Sequence, residues 1–327
     1  MTTLEGMFVR EKMIRAVRLF FEERHFHEVI TPTLTASIPL EPTIYPFTTE
    51  WHTQDEEKTF FLSPSPERGI KKMLAAGIGK CFSLSKCFRN LESAGYLHNP
   101  EFLMLEWYRE DATMQDIMSD VESLISFCAE KLSYEGDIFA KGKKWPVVSL
   151  VDLLQKHADI HLKDILSDEN IREVAKQKGY TIADANWEQL FHQILLNEVE
   201  PHFSLEPFFL IDFPARISPL CAVQAENPFL AERFEFFIQG KEIGNGNTEG
   251  TNVSIIENYF AEEKKVRKSL GLVTPEKDES FLADIRTLHS KSYAGIGMGI
   301  DRLALLFSGG KSLRDVDPFS LFLPSEI

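Results

Sequence analysis

Cysteine is scarce in this chain of 327 residues. There are four, Cys81, Cys87, Cys128 and Cys221, and none falls in a CxxC or CxxH spacing. Neither a disulfide framework nor a zinc site is indicated. Long apolar runs are missing as well. No stretch approaches the ~18 residues of a membrane span, and the N-terminal MTTLEGMFVREKMIRAVRLFFEERHF is an amphipathic, charge-laced helix rather than a signal peptide. No membrane-spanning helix is expected, and a soluble protein in the cytoplasm is. Positive charge is in deficit, with 35 Lys and Arg against 50 Asp and Glu, a net charge of −15. Nucleic-acid binding rests on a basic footprint, so a large phosphate-backbone interface is disfavoured. A local basic patch of Lys71, Lys72, Lys80 and Lys86 stays open. Apolar side chains are abundant at 43% of residues, ample for a sizeable core.

The most informative stretch is Phe88 to Tyr108, FRNLESAGYLHNPEFLMLEWY, which reads as two strands around a charged loop. By the period-2 rule Cys81, Ser83, Ser85, Cys87 and Arg89 share one face of the first strand, and all but the arginine are small. That face leaves room for a ligand. On the returning strand Phe102, Met104, Glu106 and Tyr108 share one face, and Leu103, Leu105 and Trp107 the other. A guanidinium, a flat ring, a carboxylate and a phenol on one surface suit a ligand with an anionic group, an aromatic base and an ammonium. ATP plus an amino acid fits that description. Arg89, HNPEF (His98 to Phe102) and MLEWY (Met104 to Tyr108) resemble motif 2 of the class II aminoacyl-tRNA synthetases, in their lysyl branch.

The remaining chain extends the resemblance. A helix is expected over Met7–Arg24, then a strand at Val29, Ile30 and Thr31 broken by Pro32. This is similar to motif 1, which implies a homodimer. After a connection with Pro39, Pro42 and Pro46, the spacing predicts a helix start at Ser65, Pro66 and Glu67, with Ser65 as N-cap. In the lysyl enzymes this segment faces the amino acid, so the resemblance brings Ser65 and Glu67 to the substrate, Glu67 at its α-ammonium. A helix over 113–132 opens with Thr113 and Asp116 at capping-box spacing and carries Ile117, Val121, Leu124, Ile125 and Cys128 along one stripe. Three helices are expected within 137–205, at 149–157, 167–178 and 187–199. No catalytic constellation lies in them, and His157, His161 and His192 are isolated. The family has a helical insertion here, so 1–327 is read as one catalytic domain.

Pro207–Pro214 reads as a buried strand, and Gln239-Gly240 as a two-residue hairpin turn. That turn places Glu235, Phe237, Glu242 and Gly244 on one face, with the two carboxylates as diagonal neighbours. Such a pair is either an exposed acidic hairpin or a hard-cation site suited to magnesium. The segment ERFEFFIQGKEIGNGN resembles the lysyl enzymes, which implies magnesium on Glu235 and Glu242. The resemblance also brings Asn245 and Arg89 to the lysine carboxylate, Glu249 and Tyr108 to the ε-ammonium, and Glu106 with Glu67 to the α-ammonium. A Lys- and Glu-rich helix near 253–270 reads as a solvated face, followed by a weaker helix near 279–289. Glycines 295, 297 and 299 permit close backbone approach to a ligand, and GMGIDRLALL resembles motif 3, whose arginine, here Arg302, holds the γ-phosphate.

The resemblance therefore implies an α+β class II catalytic domain, mainly an antiparallel sheet flanked by helices. ATP would meet Arg89, Asn90, Glu92, His98, Phe102, Glu235, Glu242 and Arg302, with Phe102 stacked on adenine and Gly297 beside the amino acid. Motif 1 begins almost at Met1, with no anticodon-binding domain ahead of it. The expected kin are therefore the elongation factor P lysyltransferases, which attach lysine or β-lysine to a protein lysine, and stable tRNA binding is not expected. Three departures stand out. Leu91 intervenes before Glu92, Asn247 replaces the family's phenylalanine, and Gly297 matches the synthetases where lysyltransferases can carry alanine. They leave two alternatives open. One is adenylation of another amino acid with transfer to a small molecule or carrier; the other is a non-catalytic paralogue.

Overall fold

The computed structural model describes residues 3–38, 44–91, 95–183, 185–289 and 291–320. Packing divides the chain into two units, one of residues 1–143 with 251–327 and the other of residues 144–250.

The first unit begins with α1 (Thr3–Glu23), whose Met13, Ala16, Val17, Phe20 and Phe21 are buried at helical spacing. β1 is only His27–Glu28, pairing parallel with the start of β5 (Lys80–Phe88). The strand expected at Val29–Thr31 is thus two residues early and short. Val29 adds one bond to the Phe82 carbonyl, Thr31 turns its hydroxyl to Ser85, and Ile30 is left 94% exposed. β2 (Leu34–Thr35), β3 (Thr48–His52) and β4 (Glu57–Leu62) form a small antiparallel sheet in the order β2-β4-β3. Then come α2 (Glu67–Ala75), β5, β6 (Glu101–Glu110) and α3 (Met114–Lys131). Thr113 caps α3 in the expected capping box with Asp116, and all five residues of its apolar stripe are fully buried.

The second unit contains β7 (Val147–Ser149), α4 (Leu150–Leu153), α5 (Asp168–Gln177), α6 (Trp187–Ile194), β8 (Phe208–Ile211), β9 (Arg233–Ile238) and β10 (Lys241–Thr248). Ser149, Ser167 and Asn186 cap its helices, and α4 and α6 each run on as a π-helical turn, Leu154–Ala158 and Leu195–Val199. Its strands run β10-β9-β8-β7, antiparallel except for β7 on β8. The core lies between Phe208, Leu210 and Phe237 of the strands and Leu154, Ile171, Trp187, Phe191 and Ile194 of the helices. The helices expected within 137–205 all form, and the unit that holds them extends to Gly250.

The chain returns to the first unit with α7 (Val253–Ser269), α8 (Glu279–Leu288), β11 (Tyr293–Gly299) and α9 (Ile300–Ser308). Its main strands run β1-β5-β6-β11, with β5, β6 and β11 antiparallel. One face carries Phe82, Leu105 and Trp107, where Phe21 of α1 stacks on Phe82 at 4.6 Å. The opposite face carries Ser83, Glu106 and Tyr108 under α2.

Candidate active site

In the first unit the strand register confirms the shared face. Cys81 pairs with Tyr108, Ser83 with Glu106, Ser85 with Met104 and Cys87 with Phe102. The room left by the small residues is taken by protein. Cys81, Ser83 and Cys87 are fully buried, and Thr31, Ser85 and Ser83 form a chain of hydroxyls. A large carboxylate fits opposite them. Glu106 is 4% exposed, its Oε1 accepts from Ser65 Oγ at 2.5 Å, and its Oε2 is buried with no hydrogen-bond partner among the described residues. Burial, then the charge of Glu67, pushes the Glu106 carboxyl up to about 8, against the pull of Ser65, Lys71 and Arg89.

Glu67 opens α2, one residue after the N-cap, which is Pro66 rather than Ser65. Ser65 still satisfies an end donor, accepting from the Glu67 backbone at 3.0 Å while donating to Glu106. One turn on, Lys71 donates to Glu67 Oε1. Lys71 is 1% exposed, and its Nζ lies 5.9 Å from the Tyr108 ring centroid and 5.8 Å from that of Phe281. The open basic patch therefore does not form. Lys71 is internal, Lys80 donates to the Arg24 carbonyl and Lys86 pairs with Glu101. The i, i+4 spacing from Glu67 was the signal for Lys71.

Arg89 follows β5, its backbone donating to Pro100, its guanidinium 5.4 Å from the Phe102 ring centroid and its Nε buried without a hydrogen-bond partner among the described residues. Asn90 donates from its backbone to Tyr45, and its side chain accepts from Leu91 at 2.9 Å. Leu91, the extra residue, adopts φ +56° and is exposed. Glu92 lies outside the described residues. At the start of α9, Arg302 donates to the Leu97 carbonyl at 3.2 Å, and its Nη2 stands 3.4 Å from both ring nitrogens of His98. The neighbouring Asp301 accepts from Arg10 of α1 at 2.6 Å and from the Leu103 backbone of β6 at 2.7 Å, which fixes the helix that carries Arg302.

The three glycines of β11 separate into different roles. A Cβ on Gly295 would lie 2.1 Å from Tyr108 Cδ1, so this glycine makes way for the protein's own ring rather than for a ligand. A Cβ on Gly297 would meet Glu106 Cγ and Oε1 at 3.4 Å, and on Gly299 would reach nothing nearer than Arg302 at 3.9 Å. Gly297 alone borders the Glu106 carboxyl.

In the second unit the expected turn forms, with φ +53° at Gln239 and +70° at Gly240. The register departs from expectation past it. Glu242 pairs with Phe237 as expected, but a bulge at Ile243 sets Gly244 opposite Phe236 and Asn245 opposite Glu235. Asn245, not Gly244, therefore joins the face of the two carboxylates. Glu235 Oε1 accepts from Arg233 at 2.8 Å, and burial plus the charge of Glu242 pushes its carboxyl up to about 8. Glu200, in the turn after α6, adds a third carboxylate that sequence reading did not single out; its own pKa is raised by burial and by Glu242. Glu242 acts electrostatically on both Glu235 and Glu200, and carboxylate oxygen is the donor type a hard divalent cation such as magnesium takes. Further along, Glu249 is buried beside Cys221, and Asn247 Nδ2 donates to Glu249 Oε1 and to the Thr248 carbonyl, each at 3.0 Å.

Residues 3–322 match the family described as tRNA synthetases class II (D, K and N). The chain is 33% identical to an elongation factor P–(R)-β-lysine ligase of Avibacterium paragallinarum, over 98% of this chain and 96% of that protein. It is 32% and 34% identical to lysine–tRNA ligases of Pelotomaculum thermopropionicum and Actinobacillus pleuropneumoniae, over 97% and 94% of this chain. Of those two ligases it spans only 63% and 62% of the length.

Proposed function

The chain belongs to the class II tRNA synthetases of the D, K and N type, and from that premise we propose that it activates lysine or β-lysine with ATP and transfers the aminoacyl group to a lysine side chain of elongation factor P. The observation that carries this reading is the match running almost end to end with a ligase of that name. Within the first unit, Ser65, Glu67 and Glu106 are assigned to the α-ammonium, Tyr108 to the far end of the substrate and Gly297 to the space beside Glu106. Arg89, Asn90, Glu92, His98, Phe102 and Arg302 are assigned to ATP. Within the second unit, Asn245 is assigned to the carboxylate, Glu249 to the ε-ammonium, and Glu235 and Glu242 to magnesium. The metal, when bound, would shield phosphate charge.

In the first step a substrate carboxylate oxygen attacks the α-phosphorus and the bond to pyrophosphate breaks. The chemistry calls for positioning and charge neutralisation, for which Arg89 and Arg302 are suited, and no protein nucleophile is needed. In the second step the acceptor amine attacks the acyl carbon, AMP leaves, and the amine gives up a proton as the amide forms. The protein is taken as a cytoplasmic homodimer that does not hold tRNA stably; no helix among the described residues is long and apolar enough to cross a membrane. Amino-acid-dependent ATP–pyrophosphate exchange with α-lysine, both β-lysine enantiomers, ornithine and the other standard amino acids, using Arg302→Ala as control, tests the first step. Incorporation of labelled amino acid into elongation factor P tests the second. Exchange with lysine or β-lysine that the control lacks is the expected result; exchange with none would overturn the reading.

A further inference from the structure

Two carboxylates, Glu67 and Glu106, and one ammonium, Lys71, are enclosed together beneath α2. Lys71 is committed to Glu67, directly and at short range. Glu106 has only the Ser65 hydroxyl on one oxygen, and its other oxygen is enclosed and unpartnered among the described residues. A buried carboxylate with one neutral donor and a second carboxylate nearby is short of a counter-ion. The groups that face it come from four elements. α2 and the residue before it bring Glu67, Lys71 and Ser65; β5 brings Ser83 and Cys87, with Arg89 beyond its end; β6 brings Tyr108; and β11 brings Gly297, which has no side chain. Arg89 is the weakest of the groups favouring the ionised form. Cys87 supplies no positive charge, its thiol being pushed up by burial and by Glu106.

We infer that Lys71 is the charge-setting residue of the amino-acid pocket: it neutralises Glu67 and leaves Glu106 protonated, so that the incoming ammonium displaces a single proton from Glu106. The exchange balances. The substrate nitrogen keeps its three protons, the Glu106 O–H bond breaks, its proton goes to solvent, and an ammonium–carboxylate pair takes the place of the acid. The upward shift of Glu106 puts that proton in place near neutral pH. Lys71 acts through Glu67 and Glu106 and is a positioning residue. This inference rests on the amino-acid reading of the site given above.

Calorimetric titration of the full chain with lysine and with β-lysine, in buffers of different ionisation enthalpy, counts protons released on binding. About one proton is expected to leave near neutral pH, the count falling as pH rises past about 8 to 9. Glu106→Gln should bind more weakly and release none. Lys71→Met, which removes the nearby cation, should move the pH midpoint of release up by about one unit or more, and Lys71→Arg should restore it. Should Lys71→Met fail to fold, the wild type, Lys71→Arg and Glu106→Gln still decide. Binding by the wild type with no proton released between about pH 6 and 9 overturns the inference and leaves the proposed function standing. No binding heat with any amino acid overturns the reading beneath it, and the inference with it.

Discussion

Asn247 stands where the family resemblance calls for phenylalanine, and its amide is tied to the buried Glu249 carboxylate at 3.0 Å. A hydrogen bond to a charged group is worth about 1.5–3 kcal/mol. If Glu249 meets the ε-ammonium as proposed, Asn247→Ala should therefore lower kcat/KM for lysine by roughly ten- to a hundredfold, mostly through KM. Steady-state exchange kinetics will read this, and an unchanged KM would mean that Glu249 is held in place without the amide. The glycines of β11 give a contrasting pair. Gly295→Ala drives a methyl into the Tyr108 ring and should cost about 1–3 kcal/mol of stability, seen as a lowered Tm. Gly297→Ala meets Glu106 at ordinary contact distance, so Tm should hold while KM for α-lysine rises severalfold and the β-lysine preference changes. In the sequence these two glycines look alike, because a glycine that admits the protein's own ring and one that borders the Glu106 carboxyl carry the same letter. The same limit hid Lys71. A lysine beside a second lysine reads as surface, and only the helix turn that sets it against Glu67 reveals it as internal.

At the scale of elements, periodicity was a reliable guide wherever both faces of an element are decided by burial. The stripe of α3 and the alternating faces of β5 and β6 fall where they were expected. The hairpin of β9 and β10 was legible at its turn, where two positive φ values are demanded, and illegible at Ile243, because a bulge adds a residue without changing composition. That single insertion exchanges Gly244 for Asn245 beside Glu235. The strand after α1 failed for the converse reason. β-branched residues at Val29–Thr31 favour extension, yet Thr31 commits its hydroxyl to Ser85 and leaves the ladder. α9 depends on a tertiary contact that spacing does not show. Asp301 joins α1, β6 and α9 through Arg10 and the Leu103 amide. Asp301→Ala would take the nearer carboxylate from the half-buried Arg10, which keeps only Asp317 at 3.9 Å, and would leave the Leu103 amide without its acceptor, a loss of about 1–3 kcal/mol. Because Arg302 is the next residue on the same helix, kcat for exchange should fall along with Tm; full kcat at a temperature where the variant is folded would show that Arg302 keeps its place unaided.

For the molecule as a whole, two enclosed acids, Glu106 and Glu235, both pushed up to about 8, bear on how stability varies with pH. Burial pushes the Glu106 carboxyl up to about 8 from an ordinary value near 4.5, so between these values the native state holds a proton that the unfolded chain has lost. Its contribution is fully present below the lower value and is lost as pH rises through the upper one. The ligand-free protein should therefore lose Tm from mildly acidic to mildly basic pH, and Glu106→Gln should reduce that fall in thermal denaturation scans while the share of Glu235 remains; an equally steep fall in the variant would place the responsible group elsewhere. Assembly is argued from the outside of the first unit. The N-terminal helix buries one stripe but leaves Leu4 exposed and Phe8 50% exposed, and the segment after β1 leaves Ile30 and Leu34 in solvent. Scattered exposed apolar residues are ordinary, but these fall on the helix and strand that resemble motif 1, the dimer-forming part of the family. If a second copy covers them, placing charge there should separate the copies without unfolding either. Phe8→Glu combined with Ile30→Glu should convert a dimer to a monomer in light scattering, with the circular dichroism of the folded chain retained. A wild type that is monomeric at micromolar concentration would contradict the homodimer, and a double variant that stays dimeric would move the interface off these residues.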